Sequence, residues 1–310
     1  MAPFLVPDPT FHRLTGDQRG LRGIQPEGAG AGIVLTLGGG FSRGFAHLGV
    51  LQVLEEELIP VSGIVGTSIG ALLGAAYADG IPVSALCDLG RRVRVRDFLR
   101  FNPSEQGQGE QRKDCIGQFI DKWFRAKLLE ELPILTAIVA TDLDSGAPFV
   151  FSRGPLEIAI RASCAFPGLV KPVEHEGRLL GDGCIVAPVP TAIGAGLNCG
   201  FVLGVCVNPN SASSSATTSS ENMVRVLDDN YRASHRSALD PSWCRHADIL
   251  LEPQVQHIDW SDFSRVDEAF SAGVEAMRQA LPFVRELLAR QSQLGLAPGM
   301  KFPAERGLAL

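Results

Sequence analysis

The sequence predicts an α/β fold on a mostly parallel central sheet, and three features carry that reading. Ile33-Val34-Leu35-Thr36-Leu37 is a short apolar run rich in β-branched residues, as expected of a strand buried on both faces. It passes through a glycine loop into a helical pattern, and a second run at Val61 to Val65 leads into another helix. Apolar runs and helical stretches then keep alternating, the pattern of parallel strands joined by helical crossovers.

Taken in order, the first helix is expected from about Gly44 to Leu58, ending in the acidic Glu55-Glu56-Glu57. Pro60 opens the second strand. Ile69 to Ala78 is the next helix, stopped by Asp79-Gly80 and Pro82. Two more helices, about Ser84 to Leu99 and Ile116 to Leu132, flank a Gly/Gln-rich loop at Pro103 to Gln111. Strands are expected at Leu135 to Thr141 and Phe149 to Phe151, then a short helix at Leu156 to Ser163. Further strands should lie just before Asp182 and at Phe201 to Val207. Asn210 to Ser220 is a low-complexity Ser/Thr/Ala stretch. A helix, a strand at Ala247 to Leu251 and a long helix from about Asp262 to Arg290 complete the chain.

With 310 residues the chain can bury one large core or two modest ones. Its 45% hydrophobic and 20% charged residues exclude wholesale disorder. A net charge of −6 gives no general attraction to nucleic acid or anionic membranes, so lipid contact would need a local patch. The seven cysteines form no Cys-x-x-Cys pair and the six histidines do not cluster, so reduced thiols are expected and no metal or other cofactor. Met1 to Thr10 lacks a basic start, and no uncharged apolar stretch reaches the ~18 residues of a membrane span. A soluble cytoplasmic protein is expected, peripheral to a membrane at most.

Three elements carry chemistry. Gly66-Thr67-Ser68-Ile69-Gly70 is a G-x-S-x-G set between a strand and a helix, the context of a nucleophile elbow. Gly66 and Gly70 let strand and helix approach, and the helix amides favour negative charge at Ser68. A structural turn is the plainer reading of the motif alone, but the strand before it and the helix after it favour catalysis. Gly38-Gly39-Gly40-Phe41-Ser42-Arg43-Gly44 exposes amides at a helix start, which suits a phosphate or an oxyanion. Phe41 breaks the dinucleotide fingerprint and no Gly-Lys-Ser/Thr follows, so the oxyanion is the better fit. In Leu179-Leu180-Gly181-Asp182-Gly183 the acid is either a functional carboxylate or an Asx-turn cap, and the residues alone do not decide.

Together these elements resemble the bacterial branch of the patatin-like phospholipases over roughly residues 31–207. Also matching are Ala140-Thr141-Asp142-Leu143, Ile160 to Gly168 (Ile-Arg-Ala-Ser-Cys-Ala-Phe-Pro-Gly), and Pro188-Val189-Pro190 after Asp182-Gly183. The resemblance implies a three-layer fold, Ser68 as nucleophile, Asp182 as base, and an oxyanion hole from amides of Gly39, Gly40, Phe41 and Arg43. It implies an acyl-enzyme route to ester hydrolysis on lipids or small esters. The expected organisation is an N-terminal arm (1–30), the catalytic core (31–207), a flexible linker (208–221) and a C-terminal strand and helices completing the same domain (222–310). Cys184 and Phe41 depart from the family pattern. Phe41 is expected to take backbone angles open to a non-glycine residue, with its ring walling the acyl pocket.

The alternatives are a triad using His235, His246 or His257, and a non-catalytic regulator on the same scaffold. His47 is expected to be a packing residue. The run Arg91, Arg92, Arg94, Arg96, Arg100 near Phe98 and Phe101 is a solvated helix face or a transient membrane-surface contact. Pro282 to Leu296, with Phe283, Leu287, Leu288 and Leu294, reads as a docking helix.

Overall fold

A computed structural model describes residues 32–93, 115–208, 244–293 and 308–309. The expected arm (1–30), most of the basic run (Arg94, Arg96 and Arg100, with Phe98 and Phe101), the Gly/Gln-rich loop, the linker beyond Asn208, His235 and Leu294 lie outside them.

The strands are β1 Ile33–Leu37, β2 Val61–Thr67, β3 Leu135–Asp142, β4 Pro148–Phe151, β5 Val173–His175, β6 Arg178–Asp182, β7 Phe201–Val205, β8 Ile249–Leu251 and β9 Leu308–Ala309. They form one sheet in the order β5-β6-β3-β2-β1-β7-β8-β9, with β4 also paired to β3. The pairs β1–β2, β2–β3, β1–β7 and β7–β8 are parallel, whereas β4 and β6 run antiparallel to β3. The strand order reverses at β1, where β2 and β7 depart on opposite sides, and such switch points open crevices at the carboxyl ends of strands. Both motif loops, after β1 and after β2, emerge there.

The helices are α1 Ala46–Glu56, α2 Ile69–Ala78, α3 Val83–Gly90, α4 Cys115–Trp123, α5 Leu156–Ser163, α6 Thr191–Leu197 and α7 Val266–Gln293. Side chains alternate across each strand, so β1 sends Ile33, Leu35 and Leu37 to one face and Val34 to the other. The first face packs under α1, α2, α3, α4, α5 and α7, forming the larger core. On the second face Val34, Val65, Val139 and Val202 meet Ile193 and Leu197 of α6. Helices thus cover both sides of the sheet, an α/β fold of three layers.

Several elements differ from expectation. The helix expected to reach Leu132 ends at Trp123, because Asp79 takes the amides of Arg125 (2.6 Å) and Ala126 (3.2 Å) and turns the chain away. A 3-10 turn at Leu129–Glu131 follows. Helix α6 was not expected. It has seven residues, mostly Gly and Ala, and its Gly194 lies so close to Thr36 that any Cβ there would collide. The long helix begins at Val266 after a 3-10 turn in which Asp262 caps Ser264 N at 2.9 Å. It crosses α1 through glycines: a Cβ on Gly273 would strike the carbonyl of Ala46, and one on Gly49 the carbonyl of Phe270. Val284 is buried, with Phe283, Leu287 and Leu288 packed against the core, so this part of α7 docks. No helix among the described residues is long and apolar enough to cross a membrane.

Candidate active site

Strand register explains why Ser68 and Asp182 meet. Strand β2 pairs with β3 as far as Thr67 opposite Val139, and β6 pairs with β3 from Asp182 opposite Ala140. Strand β4 occupies the other edge of β3 at the same level. Strands β2 and β6 therefore share one edge, run toward each other and end head to head on adjacent residues of β3. One chain end delivers Ser68, the other Asp182.

Ser68 stands at φ 54°, ψ −123°, a strained turn between β2 and α2. Tight packing forces it: a Cβ on Gly66 would overlap the Ala71 backbone, and one on Gly70 the Leu37 carbonyl. The Ser68 amide donates to Ser163 Oγ at 2.8 Å, and Ser163 Oγ donates to the Val139 carbonyl at 2.6 Å. That locks the elbow to the end of α5.

Ser68 Oγ donates to Asp182 Oδ2 at 2.7 Å, and the other carboxylate oxygen accepts the Cys184 amide at 2.8 Å. The Asp182 backbone is equally fixed, its amide donating to the Ala165 carbonyl and its carbonyl accepting Thr141 Oγ1. Ser68 is 6% exposed and Asp182 1% exposed. Burial pushes the Asp182 carboxyl up to about 6, against the opposing pull of the Cys184 amide, the Ser68 hydroxyl and the Cys184 thiol. A carboxylate in this state is a better base than one in water, and no imidazole stands between it and the serine hydroxyl.

The glycine loop lies beside this pair. A Cβ on Gly39 would fall 3.3 Å from Ser68 Cβ and would overlap Cys184 Sγ. The four amides named from the sequence differ in their partners. Gly39 N–H donates to the Pro188 carbonyl at 3.1 Å and Arg43 N–H to the Gly40 carbonyl at 3.1 Å. Those two donors are engaged within the protein. Phe41 has φ 50°, in the left-handed region and not in the ordinary angles expected for it, at a cost of roughly 1–2 kcal/mol. Its ring is held edge-on by Phe166 (centroids 5.4 Å apart) and Trp260 (5.1 Å), which explains how a side chain persists there.

His47 Nε2 donates to the Gly38 carbonyl at 2.7 Å, and burial lowers the imidazole to about 4, so it is neutral and positions the loop. His257 sits on the surface against Glu268, whereas the carboxylate of Asp182 is buried and its oxygens are held by Ser68 and Cys184. Cys184 is buried and its thiol pushed well above its ordinary value by desolvation and the neighbouring Asp182, so it is not a rival nucleophile. Ser163, Thr141, Asn208 and Trp260 escaped the sequence reading as members of this neighbourhood. Ser163 and Thr141 stand inside recognisable family segments, but nothing local marks Asn208 or Trp260.

Comparison with known proteins identifies the family. Residues 35–194, more than half of the chain, match the family described as patatin-like phospholipase. An uncharacterized NTE family protein of Mycobacterium tuberculosis is 39% identical over 181 residues, which is 58% of this chain and 50% of that protein. Lysophospholipase NTE1 of Saccharomyces cerevisiae is 28% identical over 280 residues, 80% of this chain and 16% of that protein. The chain thus spans half or less of the length of these relatives. VipD of Legionella pneumophila, a solved structure, aligns with a TM-score of 0.42 at 13% identity, over 82% of this chain and 67% of that one.

Proposed function

The chain belongs to the patatin-like phospholipase family, and from that premise we propose that it hydrolyses fatty acyl esters through a Ser68–Asp182 dyad. The observation carrying this reading is the direct 2.7 Å hydrogen bond from Ser68 Oγ to a buried carboxylate whose basicity desolvation has raised. Ser68 Oγ attacks the ester carbonyl as its proton passes to Asp182 Oδ2. The oxyanion is held by the amides of the Gly40–Phe41 stretch, with helix α2 directing its N-terminal dipole at the same point. Collapse expels the alcohol, which takes the proton back from Asp182. Water, deprotonated by Asp182, then cleaves acyl-Ser68 and restores the free serine.

Substrate class follows from the surroundings. Esters have better leaving groups than amides and so suit a dyad that works without an imidazole. Phe41, Phe166 and Trp260 form an apolar cluster at the loop, fitting an acyl chain better than a polar group. Lipid esters are therefore the proposed substrates, with short nitrophenyl esters as convenient surrogates.

The test is hydrolysis and fluorophosphonate labelling of wild type, Ser68→Ala and Asp182→Asn. Ser68→Ala should lose both, and Asp182→Asn should lose at least ~10³ in kcat, by analogy with other base and orienter losses. Turnover by Ser68→Ala above a few per cent of wild type would remove the nucleophile assignment. A comparable loss in His246→Ala or His257→Ala would replace the dyad with a triad.

A further inference from the structure

We propose that Asn208 is the positioning residue of the oxyanion-binding peptide, and that the buried guanidinium of Arg43 locks it in the working orientation. This rests on the hydrolase reading above and adds a residue beyond the matched family segment, which ends at 194.

The register of β1 and β7 brings Asn208 to the loop. Leu37 lies opposite Val205, so continuing both strands three residues sets Gly40 beside Asn208. The approach is close: a Cβ on Gly40 would overlap Val207 Cγ2 and come within 3.3 Å of Asn208 Nδ2. Asn208 is 5% exposed, and its Nδ2 donates to the Gly39 carbonyl at 3.0 Å. Its Oδ1 accepts from Arg43 Nη1 at 2.9 Å. A guanidinium has donors only, so the amide oxygen must face Arg43 and the NH2 must face Gly39. Arg43 therefore decides which way the Asn208 amide points.

Holding a carbonyl also aims an amide. The Gly39–Gly40 peptide is planar and trans, so its C=O and the Gly40 N–H point in opposite directions. Fixing the Gly39 carbonyl onto Asn208 fixes the Gly40 N–H on the other side of that peptide. The Gly39 N–H is already given to Pro188, so Gly40 N–H is the loop donor this clamp controls.

The lock itself is rigid. Arg43 is 8% exposed; its Nε donates to the Ile258 carbonyl at 2.7 Å and its Nη2 to the Gln256 carbonyl at 3.3 Å. Ser42 adds its amide to the Trp260 carbonyl (3.1 Å) and its hydroxyl to the Asp259 carbonyl (2.9 Å). Among the described residues Arg43 makes no ion pair, so its charge is met by neutral oxygens. A cation at the head of the chain Arg43–Asn208–Gly39 C=O–Gly40 N–H polarises each link and strengthens the last donor. A merely packed asparagine would need neither the cation nor the alignment.

The experiment compares the full-length wild type with Asn208→Asp, Asn208→Ala and Arg43→Gln on a soluble short-chain nitrophenyl ester. Fluorophosphonate labelling rate and Tm are measured in parallel. Asn208→Asp keeps the shape and adds an ion pair to Arg43, but sets a second acceptor against the Gly39 carbonyl. Its Tm should hold or rise while kcat and labelling rate fall about 10- to 100-fold, with KM changed less than about twofold; full loss of such a donor costs ~10²–10³. Asn208→Ala and Arg43→Gln should lower kcat in the same direction. The inference is overturned if wild type is active and labelled while Asn208→Asp and Asn208→Ala keep kcat within about threefold. It is also overturned if kcat falls only in step with Tm, which is what a purely structural residue does. A wild type inert to both ester and fluorophosphonate would instead overturn the hydrolase reading, and this inference with it.

Discussion

Lowering the pH should switch the protein off as Asp182 takes up a proton, with a midpoint near the value to which burial pushes that carboxyl, about 6. A protonated Asp182 cannot accept the Ser68 proton, so kcat/KM on a soluble ester should follow its ionised fraction in the free protein. That fraction is about nine-tenths at pH 7 and about one-tenth at pH 5, a nearly tenfold fall. An aspartate at its ordinary value would still be about nine-tenths ionised at pH 5 and would give a flat profile. A histidine base would titrate in nearly the same window, so the assay needs a second axis. An organic cosolvent raises the pKa of a neutral acid, whose ionisation creates charge, and barely moves a cationic imidazolium. The acid limb should therefore climb as cosolvent is added. Stability supplies an independent check, with its sign fixed by the direction of the shift. The folded pKa lies above the unfolded one, so this group favours the fold below about pH 4, and that contribution is lost as pH rises through about 6. The loss is of order 3 kcal/mol for a shift of about two units. Asp182→Asn, neutral throughout, should thus raise Tm relative to wild type at pH 8 and not at pH 4. A limb near pH 4, or one indifferent to cosolvent, would refute the claim that a desolvated Asp182 is the base.

Other perturbations separate the parts of the site. Cys184→Ala removes a thiol hydrogen bond that holds the Asp182 carboxyl down, so the acid limb of kcat/KM should move to higher pH; a move to lower pH contradicts the arrangement. Phe41→Gly relieves about 1–2 kcal/mol of left-handed strain but forfeits two aromatic contacts of about 0.5–1.5 kcal/mol each and, beyond them, the packing of the ring against Phe166 and Trp260, so Tm should fall. Its chain-length profile should shift toward longer or bulkier acyl groups with kcat on a small ester changed less than ~10-fold, whereas a strong rise on every ester would make the ring an obstruction. Gly273→Ala drives a methyl into the Ala46 carbonyl where α7 crosses α1. Overpacking of about 1–3 kcal/mol exceeds the helix-propensity gain of about 1, so thermal melting should show a lower Tm with the pH profile unmoved.

What the sequence discloses and what it hides divide along the range of the interactions. Helix α2 and helix α5 fall where expected because their apolar patterns and their stops, Asp79-Gly80 and the segment after Ser163, are local. Helix α6 hides because its seven residues are small and its packing partner, Thr36, lies on a distant strand. The end of α4 hides for a similar reason, since the capping carboxylate, Asp79, belongs to the end of α2. In the loop, the family resemblance names four candidate donors, but the partners that hold the Gly39 peptide groups, Pro188 on its amide and Asn208 on its carbonyl, lie more than 140 residues away and no local window shows them.

Asp182 shows the same division within a single side chain. From the residues alone it reads either as an Asx-type cap of its turn or as a functional carboxylate. The structure makes these two readings compatible, because the two oxygens do different work. Oδ1 accepts the Cys184 amide two residues on and caps the turn; Oδ2 accepts Ser68 Oγ from 114 positions away. The cap is legible because it is local. The second contact depends on β2 and β6 ending head to head along β3, a register that no window around Asp182 contains. The local bond also serves the distant one: an oxygen tied to a backbone amide cannot rotate freely, so capping the turn holds the other oxygen toward the serine. The tightness of the Asp182-Gly183-Cys184 turn, where a Cβ on Gly183 would strike the Val139 carbonyl, is thus a condition for the Ser68–Asp182 contact as well as for the end of the strand.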